Sequence, residues 1–323
     1  MAARVLEAVP NFSEGRDRSV VRSIADAIVA AGADLLDHSS DPDHHRSVFT
    51  MIGSPRTVER AAIEAARIAV ERIDLRRHRG VHPRIGALDV LPFVPLVGLT
   101  LDDARASARR VGQRLAELFG LPVYYYGAAS DPPGRPLAEL RRGGVEALVD
   151  GWPPERRPDV LPPGWTHPGA HPTAGAACVG ARKVLLAWNV QVDGLSREEA
   201  AQIAREVRER DGGFIGVRAL AFELRHGGRV QISMNVEDLE ETSPMHVFQR
   251  IEDGVIERGG RVIETEVIGL APDELVHAAA ADRLALVDLG PERVLSRALA
   301  RHLAGRVADA DDERAPSDEE PHE

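Results

Sequence analysis

The chain has 323 residues, 43% of them hydrophobic and 28% charged, which is the balance of a globular protein and enough length for two ordinary domains. No apolar run approaches the roughly 20 residues that cross a bilayer, the first residues lack a secretory signal pattern, and the single cysteine, Cys178, excludes an internal disulfide, so we expect a cytoplasmic protein. Most of the net charge of −11 lies in residues 309–323, with eight acids and one arginine, and no basic block indicates a nucleic-acid partner.

The first half of the chain alternates between strand and helix patterns. It begins in the order strand, helix, strand, strand, helix, strand, and then adds further elements. Residues 151–175 are rich in Pro and Gly and are expected to be mostly loop. The patterns predict strands at 5–10, 34–38, 46–52, 87–96 and 122–126, and helices at 17–31, 55–73, 102–119 and 136–142.

The second half repeats the order β-α-β-β-α-β without repeating the sequence. Strands are predicted at 183–192, 216–225, 229–236 and 261–268, with helices at 196–210 and 245–258 and another starting at 272. This order predicts an α+β fold of two ferredoxin-like (βαββαβ-type) halves packed with a ligand cleft between them. The expected boundaries are residues 1–180 and 181–305 for the two halves, with 306–323 as a disordered acidic tail.

The segment His78–Pro95 presents charged side chains in a Gly- and Pro-rich loop before an apolar strand. Pro83 stiffens the chain directly after His82, which titrates near neutral pH and can both accept and donate a proton. Arg84 suits bidentate recognition of a carboxylate. Alternatively, the segment is a structural loop whose histidines satisfy backbone groups.

The segment Leu36–Thr50 contains a polar turn between two strands. Asp37, Asp41 and Asp43 could orient a histidine or hold a leaving amine. The turn also contains His38, His44 and His45, but their spacing matches no zinc signature, so we expect no metal site.

The segment His171–Val190 runs from small residues through Arg182 and Lys183 into an apolar strand. Lys183 is the only lysine among 40 basic residues, which suggests a position where arginine does not serve. Gly175 and Gly180 would let a flat ligand approach the backbone. The glycine spacing fits neither a phosphate loop nor a dinucleotide fingerprint. Cys178 lies among small apolar residues and is expected to be inert core.

The segment Val230–Asp238 alternates polar and apolar residues. The alternation places Gln231, Ser233 and Asn235 on one face of a strand, where they could form a hydrogen-bonding wall for a polar ring. The alternative is an ordinary solvent-facing strand. Asn11, Asn189 and Asn235 are the only asparagines in the chain, and all lie in the segments singled out here or in the opening turn.

These four segments, together with the opening Val9-Pro-Asn-Phe-Ser-Glu-Gly, resemble the glutamate formimidoyltransferase family, the transferase part of formiminotransferase-cyclodeaminase. The resemblance covers residues 5–280 and implies two ferredoxin-like halves. It also implies transfer of a formimino group from N-formimino-L-glutamate to tetrahydrofolate, giving 5-formiminotetrahydrofolate and glutamate, a step of histidine breakdown. The catalytic histidine of the family falls on His82.

The resemblance further implies that folate lies between the halves near residues 164–189, that the protein is a homodimer without a metal, and that a separate cyclodeaminase acts downstream. In the animal enzymes a carboxylate stands at Ser39 and an asparagine at His45. If that carboxylate orients the catalytic histidine, either Asp37 or Asp41 replaces it here or the mechanism is looser. Arg46, Arg84 and Arg182 are the candidates for binding the donor carboxylates and the folate tail. The full set of expected binding residues is Asn11, Arg46, Arg84, Gly175, Arg182, Lys183, Asn189, Gln231, Ser233 and Asn235.

Three other functions stay open at this point. The same chemistry could use formiminoglycine or formylglutamate as donor. A metal-dependent hydrolase could release formamide or ammonia, with the metal held by His38, His44, His45 or His82. A non-catalytic folate-binding protein is the third alternative, because a fold does not fix a function.

Overall fold

The computed structural model describes residues 4–42, 44–80, 83–223, 229–268, 270–272 and 275. Three predicted features lie outside the described residues: His82, the helix predicted from residue 272, and the acidic tail 306–323. Of that helix, only residues 272 and 275 are described. The described chain forms two compact units, Arg4–Lys183 and a second that begins at Val184. Within the part of the chain described, no helix combines the length and apolar character needed to cross a membrane.

The first unit contains one seven-stranded sheet and three long helices. Its strands are β1 (Val5–Ala8), β2 (Asn11–Phe12), β3 (Asp34–Asp41), β4 (Arg46–Gly53), β5 (Leu88–Val97), β6 (Val123–Gly127) and β7 (Ala177–Ala181). Its helices are α1 (Arg18–Ala30), α2 (Pro55–Arg72), α3 (Leu101–Phe119) and the single turn α4 (Leu137–Leu140), with 3-10 turns at Val145–Leu148 and Pro154–Arg156.

The strand order of this sheet places the first strand in its middle. β1 and β2 are successive segments of one line between β4 and β5, antiparallel to both. β3 pairs with the outer edge of β4, while β7 and then β6 extend the sheet beyond β5 in parallel. The elements β1-α1-β3-β4-α2-β5 therefore follow the predicted order, and β6 and β7 are the additions.

β7 is a strand that the sequence patterns did not predict. Its five residues are Ala, Cys, Val, Gly and Ala, mostly types with weak strand preference, and all five are buried. The strand forms because its parallel neighbours β5 and β6 supply backbone partners on both sides. The predicted strand at 183–192 correspondingly begins later, at Leu186.

The helices begin and end where local chemistry directs. The Asp17 side chain accepts the first free N–H groups of α1, and Pro55 occupies the first turn of α2. Thr100 and Asp103 form a capping box at the start of α3, which ends at Gly120 in the left-handed conformation. All three helices pack on one face of the sheet, where they bury strand residues such as Phe12.

Among its described residues, the second unit has a four-stranded antiparallel sheet and two helices of more than ten residues. Its elements are β8 (Leu186–Asp193), α5 (Arg197–Val207), β9 (Val217–Glu223), β10 (Val230–Val236), α6 (Pro244–Glu257) and β11 (Arg261–Val267). The strand order is β11-β8-β10-β9. The predicted capping box of Ser196 and Glu199 at the start of α5 is confirmed. Ile203 and Ile251 of the helices pack against Trp188 and Ile232 in one core.

Candidate functional site

The first sheet has one face that the long helices do not cover, and it carries four of the predicted site residues of this unit. In β1 and β2, Leu6 and Phe12 point into the helix-side core, so alternation places Glu7 and Asn11 on the opposite face. Opposed residues of antiparallel strands share a face. Asp37 is opposite Thr50, and Asp41 is opposite Arg46. The list of predicted residues on this helix-free face is Asn11, Asp37, Asp41 and Arg46.

A fully buried carboxylate, Asp89 of β5, organises the centre of this face. Its Oδ2 accepts hydrogen bonds from Nη1 of Arg46 at 2.8 Å and from Nη2 of Arg141, while Oδ1 accepts the Ile85 N–H at 2.8 Å. Arg46 also donates to Oδ1 of Asn11 through Nε at 3.1 Å and Nη2 at 2.5 Å. Burial, and to a lesser degree the nearby Arg141, lowers the pKa of Arg46 to about 10, against the opposing effect of Asp89.

Sequence reasoning missed Asp89 and Arg141. The available signal was a charged residue inside the apolar strand that follows the His82 loop, because carboxylates are rarely fully buried without a partner. The partner could not be inferred, since Arg141 lies 52 residues further along the chain.

Arg84 is oriented by the 3-10 turn at Val145–Leu148. Its Nη2 donates to Oε1 of Glu146 at 2.8 Å, and its carbonyl oxygen accepts the Val145 N–H at 2.8 Å. The Arg84 side chain is only 12% exposed, whereas that of Glu146 is 63% exposed. Within the described chain, Nε of Arg84 and Nε of Arg141 are buried and have no hydrogen-bond partner.

The start of the His82 loop is held against the turn at residues 44–45. The rings of His45 and His78 stack with centroids 4.2 Å apart and planes 10° apart. Nε2 of His78 lies 2.8 Å from the carbonyl oxygen of His45. His78 is 3% exposed, and burial lowers its pKa to about 4, so its ring is neutral at physiological pH.

The two aspartates predicted to orient His82 have different surroundings. Asp41 accepts the His44 N–H at 2.9 Å and pairs with the His44 ring, whereas Asp37 lies half-buried within β3. The histidines of this turn diverge: His44 contacts Asp41, His45 contacts Glu14, and His38 stacks on Phe49. Across the described ranges, no three His, Cys, Asp or Glu side chains are grouped as a metal site would require.

The glycines before β8 contact protein in the space where a ligand was expected. Gly175 exchanges backbone hydrogen bonds with His171 and adopts φ +70°. A Cβ at Gly175 would overlap the Ile85 carbonyl oxygen, and one at Gly180 would overlap the Tyr126 ring. Their lack of a side chain therefore serves close packing. Cys178 is buried, and burial raises the pKa of its thiol, as expected for an inert core cysteine.

Arg182 and Lys183 follow β7. The Arg182 N–H donates to the Phe93 carbonyl, and its guanidinium donates to the Lys183 carbonyl at 3.0 Å. The Lys183 side chain is exposed. Burial raises the pKa of Glu7, and the charge of Arg182 partly opposes that rise. Glu7 is thus a half-buried acid on the helix-free face, which the sequence analysis did not single out.

The second sheet also has a polar, helix-free face. The predicted alternation of β10 is confirmed: Ile232 and Met234 lie in the core, while Gln231, Ser233 and Asn235 are partly exposed. The cross-strand register extends this polar row. Ser233 is opposite Asn189, Gln231 is opposite Gln191, and Nδ2 of Asn189 donates to Oε2 of Glu266 at 3.3 Å.

An aromatic pocket of about 380 Å³ lies within the Pro-rich loop of the first unit. Asp159 anchors the loop by accepting the Tyr125 N–H at 2.7 Å and a hydrogen bond from Arg135 at 2.6 Å. Trp152 meets the ring of Tyr124 edge-on at 6.1 Å. The lining residues are Trp152, Arg157, Pro158, Leu161, Trp165, Thr166, His167 and Pro168.

Comparison with known families covers nearly all of the described chain. Residues 5–182 match the family described as "Formiminotransferase domain, N-terminal subdomain", and residues 187–285 match "Formiminotransferase domain". The chain belongs to the formiminotransferase family. The two matched formiminotransferase regions correspond to the first and second compact units.

Individual relatives of this formiminotransferase chain come from bacteria, archaea and animals. It is 37% identical over 272 residues to a "Glutamate formimidoyltransferase" of Streptococcus pyogenes serotype M1, covering 84% of this chain and 90% of that protein. It is 36% identical to a protein of the same name from Thermoplasma acidophilum, covering 91% and 96%. It is 38% identical to the "Formimidoyltransferase-cyclodeaminase" of Sus scrofa, covering 86% of this chain and 52% of that protein.

Proposed function

We propose that this protein is a glutamate formimidoyltransferase, which moves the formimino group of N-formimino-L-glutamate to tetrahydrofolate and releases L-glutamate, a step of histidine degradation. The observation that carries this function is the similarity along nearly the full length of two proteins of that name. The chain also matches both formiminotransferase family models, one over each compact unit.

His82 is the proposed acid–base group. As N5 of the folate bonds to the formimino carbon, His82 accepts the proton that N5 loses. It then donates that proton to the glutamate nitrogen, whose bond to the same carbon breaks, so charge and protons balance. Asp37 or Asp41 is the proposed carboxylate that orients His82. Both lie on the helix-free face of the first sheet, the face that also carries Arg46.

The donor carboxylates are proposed to bind Arg46 and Arg141, which contact Asp89, and Arg84, which contacts Glu146. The three guanidinium groups carry one more positive charge than the two carboxylates, those of Asp89 and Glu146, can balance. Because Glu146 is 63% exposed, its ion pair with Arg84 is readily exchanged for one with a donor carboxylate. Asn11 fixes Arg46 from the neighbouring strand.

Tetrahydrofolate is the proposed co-substrate, and no metal is required. Two aromatic side chains in the pocket of the Pro-rich loop, Trp152 and Trp165, offer faces for a conjugated ring. The polar row of the second sheet offers amide and hydroxyl groups to the ring edges. Arg182 and Lys183 are proposed to bind the anionic folate tail. The proposed ring-binding residues of the second sheet, together with the glycine before β7, are Gly175, Asn189, Gln231, Ser233 and Asn235.

We also propose that each of the two units is a ferredoxin-like half. In both units the strand order places the fourth strand beside the first and the third on its other side, which supports this assignment. The proposed domain boundaries stay at residues 1–180 and 181–305. A cytoplasmic homodimer, with a separate cyclodeaminase acting downstream, completes the proposal.

The test is an assay with N-formimino-L-glutamate, tetrahydrofolate and EDTA, quenched in acid to convert product to the absorbing methenyl form. Absorbance that needs both substrates and survives EDTA is the expected result. Signal only with formiminoglycine or formylglutamate would change the donor. Release of formamide or ammonia without folate, abolished by EDTA, would replace the proposal by the metal hydrolase. Folate binding without turnover would replace it by the binding protein.

A further inference from the structure

We infer that His45, held by Glu14, is a positioning residue that fixes the segment leading to His82. This inference rests on the proposed function, in which His82 moves the proton. No role for His45 follows from the transfer chemistry itself.

Three separate contacts join His45 to residues 78–79. Its carbonyl oxygen accepts from Nε2 of His78 at 2.8 Å. Its Nδ1 accepts the Arg79 N–H at 3.4 Å. Its ring stacks on His78 with centroids 4.2 Å apart. The next residue, Gly80, lies so close to the His44 carbonyl that a Cβ there would overlap it. The turn at 44–45 therefore contacts residues 78–80 closely and fixes their position.

The contacts fix the proton positions on both rings. Because Nδ1 of His45 accepts from a backbone N–H, its proton is on Nε2, which then donates to Oε1 of Glu14 at 3.0 Å. Because Nε2 of His78 faces a carbonyl, that nitrogen carries the proton and Nδ1 is bare. Within the described residues that buried Nδ1 has no partner. The hydrogen bond and the ring stacking that hold the His78 side chain both come from His45.

Glu14 ties this arrangement to the rigid part of the first unit. Its Oε1 also accepts the N–H groups of Arg16 and Asp17, at 2.7 and 2.9 Å, directly before α1. The Glu14 and His45 side chains are only 13% and 12% exposed. These bonds, rather than exposure to solvent, keep the pKa of Glu14 low despite its burial. A continuous series of hydrogen bonds therefore runs from the start of α1 to residue 79.

The backbone at His45 restricts which residues can take its place. His45 has φ +53°, the only non-glycine residue with positive φ in the described part of the chain. His and Asn enter this left-handed region more readily than most residues. Oδ1 of an asparagine is bonded to Cγ, as Nδ1 of histidine is, and can also accept the Arg79 N–H. Asparagine at position 45 can therefore keep the contact with Arg79, although it does not donate to Glu14 in the same way.

The experiment compares His45→Ala, His45→Asn and Glu14→Gln with the wild type in the transfer assay. We expect His45→Ala to lower kcat by about 10- to 100-fold with KM for both substrates changed less than about twofold, because misplacing a catalytic group by about 1 Å has that effect on rate. His45→Asn should recover most of the loss. Glu14→Gln keeps an amide oxygen that can accept from Nε2 of His45, so it should lower kcat less than His45→Ala does. It should have little effect in His45→Asn, where the bond to the His45 ring is already absent. Glu199→Gln, at the start of α5, is the matched control for a helix-start carboxylate.

A second readout does not depend on activity. The rate of trypsin cleavage after Arg79, measured by mass spectrometry, reports how often residues 78–80 separate from the turn at 44–45. We expect faster cleavage in His45→Ala than in His45→Asn or wild type. Equal kcat and equal cleavage in His45→Ala and wild type would overturn the inference, as would a His45→Asn variant as impaired as His45→Ala. If trypsin cleaves His45→Ala faster than wild type but the wild type transfers no formimino group, only the proposed function is overturned.

Discussion

Nη1 of Arg46 lies 2.8 Å from Oδ2 of Asp89, so a guanidinium on β4 is joined to a carboxylate on β5 across the intervening β2. Asn11 of β2 accepts two further hydrogen bonds from the same guanidinium. Three adjacent strands are therefore tied together through side chains on their helix-free face. This buried charge network gives the candidate donor site a rigid base.

Asp89→Asn should destabilise the protein strongly. The change leaves Arg46 and Arg141 buried beside a neutral amide, and removing one partner of a buried ion pair costs about 3–5 kcal/mol. Glu146→Gln is the control, since Glu146 is 63% exposed and its pair with Arg84 should be worth less than about 1 kcal/mol. Denaturant unfolding measures both free energies. A loss below about 1 kcal/mol for Asp89→Asn would contradict the network's role.

His78 should make the protein less stable in mild acid. Its pKa is about 4 when folded and about 6.5 when unfolded. Between these values the unfolded chain binds more protons, so stability falls as pH drops through this window. The His78 contribution should shrink by about 2 kcal/mol from pH 7 to pH 5. His78→Gln, which can still donate but does not titrate, should show a correspondingly smaller pH dependence of its unfolding free energy. Equal slopes would refute the assignment.

Gly175→Ala should be far more damaging than Gly164→Ala. Both glycines have positive φ, +70° and +68°, so both substitutions carry a similar backbone penalty. Only at Gly175 does the new Cβ meet the Ile85 carbonyl, while nothing lies within 4 Å at Gly164. We expect a melting temperature several degrees lower for Gly175→Ala than for Gly164→Ala, from roughly 1–3 kcal/mol of extra strain. Equal melting temperatures, with only folate binding lost in Gly175→Ala, would favour the ligand role predicted from sequence.

Glu7→Gln should stabilise the protein at neutral pH. Burial raises the pKa of Glu7 above 4.5, so the folded state binds more protons than the unfolded state just above that pH, and ionised Glu7 lowers stability. Glutamine removes this effect, so the variant should melt higher than wild type at pH 7 and not at pH 4. If Glu7 serves the site, the same variant will transfer formimino groups more slowly. A lower melting temperature at pH 7 would show that the charge is stabilising.

Local patterns predicted the elements that depend on local chemistry. The alternation of β10, the capping box at Ser196 and the N-terminal proline of α2 are all in the structure where periodicity and capping rules indicate. The polar face of β10 followed from its period of two alone. The family resemblance was likewise confirmed by matches over both units.

Features that depend on distant partners could not be predicted in this way. β7 has weak strand residues and exists because β5 and β6 flank it. Asp89 is paired with an arginine from a loop 52 residues away. The stacking of His45 on His78 joins two segments separated by 33 residues. Local sequence contains the residue types but not the pairing, which the tertiary fold determines.

The most direct test of formimino transfer follows the transferred carbon itself. N-formimino-L-glutamate labelled with carbon-13 at the formimino carbon is incubated with tetrahydrofolate and the protein, with His82→Ala as the matched variant, and observed by NMR. We predict that the label appears on the folate in equal amount to the glutamate released, and that His82→Ala does this about 10²- to 10⁴-fold more slowly. Label recovered in formamide or formate, or an equal rate in His82→Ala, would contradict the account.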